Sequence, residues 1–150
     1  MSHDQTLHLR DRLEMVLEQF EADISLLSEL STPEQLAQIR ASADNLEAIL
    51  TEVKRYFIGV RDKLAETRGI PPVKELAQLV IGASTEALSS ILETEHNLED
   101  LDAKLTKKRR SPIDRDQLYY AEYGAKDAIR KSQQILKRIA EEAEHLPEEI

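Results

Sequence analysis

From Leu36 to Leu64 the apolar residues fall at steps that alternate three and four: Leu36, Ile39, Ala43, Leu46, Leu50, Val53, Phe57, Val60 and Leu64. That rhythm keeps one stripe of a helix against a partner turn after turn, as in the seam of a coiled coil or long-helix bundle. Leu13, Leu17, Phe20, Ile24 and Leu27 repeat it upstream. Near the end the chain offers Leu118, Ala121, Ala125, Ala128, Ser132, Leu136, Ile139, Ala143 and Leu146, also at steps of three and four. A further seam runs through Val73, Leu76, Val80, Ala83, Ala87, Ile91, Thr94, Leu98, Leu101 and Leu105. Its two successive four-residue steps at 83–87–91 form a stutter, which locally unwinds a supercoil. Composition agrees: Leu, Ala, Glu, Gln, Lys and Arg, the good helix formers, prevail, and aromatics are 4 %.

Three breaks separate four segments. Thr32-Pro33-Glu34-Gln35 reads as an N-cap, a proline at the first helical position and a capping-box glutamine. Arg68-Gly69-Ile70-Pro71-Pro72 supplies a left-handed C-terminal glycine and two stops. Ser111-Pro112-Ile113-Asp114 caps again and places a carboxylate at the helix N-terminus. The spacing predicts helices near 4–30, 33–68, 72–110 and 112–146. Short connections make neighbours antiparallel, so the expected fold is an all-α, up-down-up-down four-helix bundle, one domain over residues 1–150. Thr94 and Ser132 sit on seams and should hydrogen-bond back to their own helices. The fourth segment is thin between Ala121 and Ala128, with Gly124 inside. Phe20, Leu46, Leu98, Tyr119 and Tyr123 are expected to fill that level.

Several functions are disfavoured at once. With no cysteine there are no disulfides, thiolate metal sites or thiol nucleophiles. A net charge of −9 opposes the positive field on which nucleic-acid binding depends. The longest apolar run, Leu79-Val80-Ile81, is far short of the ~20 residues that span a bilayer. The N-terminus, Met1-Ser2-His3-Asp4-Gln5, has no basic run before an apolar stretch. The expectation is a cytoplasmic protein without membrane contact.

Few motifs could carry chemistry. Glu93-Thr94-Glu95-His96 and Glu142-Ala143-Glu144-His145 both read E-x-x-H, a pattern similar to that of the di-iron carboxylate bundles. Counting from the turns separates the two by roughly 25 Å along the bundle, and His96 faces away from the seam. Arg138 and His145, at R-x6-H spacing, resemble the loose signature of the HEPN ribonucleases in those two residues alone. Glu141, Glu142 and Glu144 lie between them and would repel an RNA phosphate. Neither metal nor cofactor is expected, and no catalytic residue is named.

Lys107, Lys108, Arg109 and Arg110 form a basic run at the third turn, well placed against a helix C-terminus. The alternative reading is contact with a phosphate, a nucleic-acid backbone or an acidic peptide.

The strongest functional signal is apolar surplus on the third helix. Ile81, Leu88 and Leu92 form a second stripe beyond the seam. Ile58 on the second helix is level with Ile81 when counted from Gly69, and Gly59 and Gly82 lie beside them. A helix buried on two faces needs two partners. Leu7 and Leu9, or a rotation at the stutter, could cover the stripe internally; otherwise another molecule does. The sequence therefore suggests a non-enzymatic interaction, scaffold or adaptor bundle, self-associating as a homodimer through Ile58, Gly59, Ile81, Gly82, Leu88 and Leu92. A ligand-sensing bundle with a cavity near Gly82–Ser90 is the alternative.

Overall fold

The structure, a computed structural model, describes residues 3–30, 32–67, 71–106 and 115–142. Helix α1 spans His3–Ile24 and runs into a short 3-10 helix, Ser25–Glu29; α2 is Pro33–Thr67, α3 is Pro71–Thr106 and α4 is Arg115–Glu142. Among the described residues there is no strand, and no helix is long and apolar enough to cross a membrane. Each helix packs on the next and α1 meets α4, closing a four-helix ring.

Local chemistry explains the boundaries. The capping box at α2 is complete: the Gln35 backbone N–H donates to Thr32 Oγ1 at 3.2 Å, and the Thr32 N–H donates to Gln35 Oε1 at 3.3 Å. The first helix departs from the expected α-helix through residue 30. Ser25 Oγ donates to the Ala22 carbonyl at 2.6 Å and Ser28 Oγ to the Ser25 carbonyl at 3.0 Å. These i−3 contacts accompany a tightening of the last turn to 3-10 geometry. Leu27 stays in the core through that change. The caps read at Gly69 and Ser111-Pro112-Asp114 lie outside the described residues.

The seams form the core. Every seam residue of α2 from Leu36 to Val60 is buried, as are Leu13, Leu17, Phe20, Ile24 and Leu27 of the first segment. Ile49, Ala77 and Ile135 join the core from off-seam positions. Thr94 and Ser132 are fully buried, and their hydroxyls donate to the carbonyls of Ser90 and Ala128, both at 2.8 Å.

One packing expectation is overturned. Phe20, Leu46 and Leu98 are buried as expected, but Tyr119 and Tyr123 are exposed. There is no gap for them beside the small residues of α4, because α3 takes that space. A Cβ added at Gly124 would lie 2.9 Å from Thr94 Oγ1. Ala121, Ala125 and Ala128 are fully buried along the same side. Small residues let the two helices close up instead of leaving a hole for rings.

One carboxylate is buried between α1 and α2. Asp23 is 4 % exposed and accepts hydrogen bonds from Gln19 Nε2 at 3.1 Å, Gln38 Nε2 at 2.9 Å and Ser42 Oγ. Arg12 and Glu52 pair at 2.7 Å on the rim of the same interface.

Candidate docking faces and a carboxylate cluster

The off-seam residues of α4 give it an aromatic outer face with an excess of cations. Arg115, Tyr119, Tyr123, Lys126, Arg130 and Lys137 recur at helical spacing, and all are exposed. Glu122 stands beside that row and pairs with Lys126 at 2.9 Å. Tyr119, Tyr120 and Tyr123 are 62 %, 63 % and 64 % exposed. The Tyr119 and Tyr123 rings stack at 6.3 Å, and Tyr120 meets Tyr119 edge-on at 5.9 Å. The stacked pair, with Glu122 and Lys126, lines a surface pocket of 220 Å³. Glu122 and Lys126 also line a larger groove of 570 Å³ over the α1–α4 contact, with Ile24 and Ile129 in it.

The outer face of α3 has the opposite character. Glu75, Leu79, Gly82, Glu86, Ser89, Glu93 and Asp100 follow helical spacing and are all exposed. Exposed His96 falls between Glu93 and Asp100, no lysine or arginine stands in this row, and Leu79 is half-exposed at 51 %.

Between α2 and α3 lies a third feature. Among the described residues, Asp44, Glu47 and Glu95 bring carboxylate oxygens within 4.8 Å of one another. They could each offer an oxygen to a cation, or share a proton. Glu95 Oε1 is buried and no donor reaches it. Burial, together with hydrogen bonding to Asp44 and Glu47 and their charge, raises the Glu95 carboxyl from 4.5 to about 8. A proton on Glu95 would give that oxygen a partner by donating to either neighbour. Arg40, close by, is paired to Asp102 at 3.1 Å.

Between about pH 4.5 and 8 the folded chain keeps a proton that the unfolded chain releases. Stability therefore falls as pH rises across that window, and the loss is complete above it. Glu95→Gln should abolish that slope and stabilise the protein at pH 8 by about 1–2 kcal/mol, a figure discounted for partial exposure. Thermal melts from pH 5 to 9 check this. A variant that melts lower than wild type at pH 8 would show that the carboxylate has a cationic partner.

Ser90 makes the arrangement closest to a catalytic one. Its hydroxyl donates to Asp127 at 2.9 Å and accepts from Lys131 Nζ at 3.0 Å, while Lys131 pairs with Asp127 at 2.9 Å. Lys131, with Ser90 and Arg130, lowers Asp127 to about 2, leaving a very weak base. A lysine that donates to the hydroxyl cannot take its proton. Ser90 is also buried, 6 % exposed. The trio ties α3 to α4, and the described residues form a helical bundle without clear catalytic groups.

The residues singled out in the sequence scatter across these features. Ile81 and Leu88 are partly buried and pack on the chain's own core; Ile58 and Gly59 are half-buried. Leu92 is 50 % exposed. Gly82 is exposed, and a Cβ there would meet nothing within 4 Å, so it does not serve close packing inside the monomer. Lys107, Lys108, Arg109 and Arg110 lie outside the described residues. Glu93 and His96 stand exposed on α3, with His96 Nε2 3.9 Å from Asp100, so this E-x-x-H does not enter the core.

Sequence reasoning missed the carboxylate cluster, although the signal was available. The count from Gly69 that levels Ile58 with Ile81 also levels Asp44 with Glu95. No family model, curated protein or solved structure matches the chain.

Proposed function

We propose that the protein is a non-enzymatic interaction bundle, a rigid helical body that works by docking another protein surface on the outer face of α4. The observation that carries this reading is the three tyrosines, each more than 60 % exposed, on one helix. Tyrosine buries much apolar area on contact, loses little rotamer freedom and keeps a hydroxyl for a polar partner, which is why interfaces are rich in it. Stacking of Tyr119 on Tyr123 holds the two rings ready before any partner arrives.

The docking face is placed on α4 and not along Ile58, Gly59, Ile81, Gly82, Leu88 and Leu92. Ile81 and Leu88 already pack on the core of their own chain. The ligand-sensing alternative loses support as well, because the hydroxyls of Thr94 and Ser132 are engaged by their own helices. Nucleic-acid or phosphate binding would fall to the basic run at 107–110 of the sequence.

Native mass spectrometry of the protein isolated from its source cells tests the reading. Wild type should carry a bound protein chain, and Tyr119→Ser/Tyr123→Ser should appear bare with unchanged helicity. A bare wild-type monomer, or equal loading of the variant, would overturn it. Salt-sensitive retention of nucleic acid on wild type would favour the basic run instead.

A further inference from the structure

The geometry points to a second copy of this chain as the docked partner, its α3 outer face meeting the α4 outer face of the first. This rests on the docking reading above and names the partner. The two faces are complementary in chemistry. Along α4, the cations Arg115, Lys126, Arg130 and Lys137 outnumber the carboxylates Asp116 and Glu122 around the tyrosines. Along α3, Glu75, Glu86, Glu93 and Asp100 carry only negative charge around the half-exposed Leu79.

Four cations thus face four carboxylates, each row running most of the length of a helix. The open space over Gly82 gives an aromatic ring a flat seat on α3. Like faces do not suit one another: α3 on α3 sets carboxylates together, and α4 on α4 sets cations together, so the pairing selects unlike faces. Inside the monomer, Lys126 pairs with Glu122 at 2.9 Å and Arg130 pairs with Asp127. These pairs are exposed and worth little, so exchanging partners on docking costs little.

Light scattering on purified protein tests this directly. The mass of wild type should rise with concentration at low salt and fall back at high salt. Lys126→Glu/Arg130→Glu puts carboxylates at the middle of both faces, and Glu86→Lys/Glu93→Lys puts cations at the middle of both. Each variant should lose association about tenfold or more, while an equimolar mixture recovers a complex between the two reversed faces. Tyr119→Ser/Tyr123→Ser should weaken association without moving the melting temperature, which separates docking from folding.

Wild type that stays monomeric at every concentration and salt overturns the second-copy inference. The docking reading still stands if native mass spectrometry finds a different chain. Reversal variants that associate as well as wild type also overturn it, because then other faces meet.

Discussion

Leucine in place of Gly124 is expected to cost the bundle about 3 kcal/mol, lowering the melting temperature by about 6–12 °C for a domain of this size. Glycine in a helix interior normally destabilises by about 1 kcal/mol relative to alanine, so the usual expectation is a gain on replacement. Here the sign reverses. The first added carbon would sit 2.9 Å from Thr94 Oγ1 and 4.0 Å from Thr94 Cβ. Thr94 has nowhere to go: it is fully buried, β-branched, and bonded through its hydroxyl to the Ser90 carbonyl. Gly82 supplies the control on the neighbouring helix. Nothing lies within 4 Å of its Cβ position, so Gly82→Ala should stabilise by about 1 kcal/mol. Thermal melts of both variants check the pair. If Gly124→Leu melts at or above wild type, α3 and α4 do not approach as closely as described.

Alanine at Asp23 should cost about 2–3 kcal/mol. Three neutral donors, from Gln19, Gln38 and Ser42, converge on this carboxylate between α1 and α2. Removing the acceptor leaves the buried Ser42 hydroxyl without it, which is expensive, while the amides of the exposed Gln19 and Gln38 can turn to water and Gln38 no longer ties α2 to α1. Asp23→Asn keeps an acceptor oxygen but presents an N–H₂ to other donors, so it should fall between wild type and alanine. Hydrogen exchange should show the loss concentrated in α1, which is shorter than the other three helices. An alanine variant as stable as wild type would mean that water replaces the carboxylate without penalty.

The fold was legible because the seams are long and nearly unbroken. Alternating steps from Leu36 to Val60 name eight buried residues without a miss, and the Thr32–Gln35 capping box lies where its residue types require. What was illegible turned on volume and level, which a single helix does not encode. Tyr119 and Tyr123 occupy off-seam positions and stand outside, against the expectation that they fill the level of the small residues. That expectation rested on how thin α4 is at Ala121–Ala128. A thin helix can be met by larger residues or by closer approach, and only the neighbour decides. Thr94 reaching Gly124 shows that approach won. The apolar stripe of α3 divides, with Leu92 half-exposed and Ile81 and Leu88 partly buried. Ile81 and Leu88 sit at the margin of the seam, where the rim of the core covers them. The cluster of Asp44, Glu47 and Glu95 needed the same level counting applied to charge, because each residue alone is an ordinary acidic position on a polar face.

The account depends on an aromatic face of α4 that stands in solvent in the single chain and is covered when it docks. Hydroxyl-radical footprinting, read residue by residue, observes this most directly, with Tyr56 as an internal reference because it is half-buried and its hydroxyl bonds Thr6 at 2.9 Å. In dilute solution Tyr119, Tyr120 and Tyr123 should oxidise much faster than Tyr56, and their rates should fall toward it as protein concentration rises. Three tyrosines already as protected as Tyr56 in the dilute monomer would contradict the account, since the rings would then be filling the core.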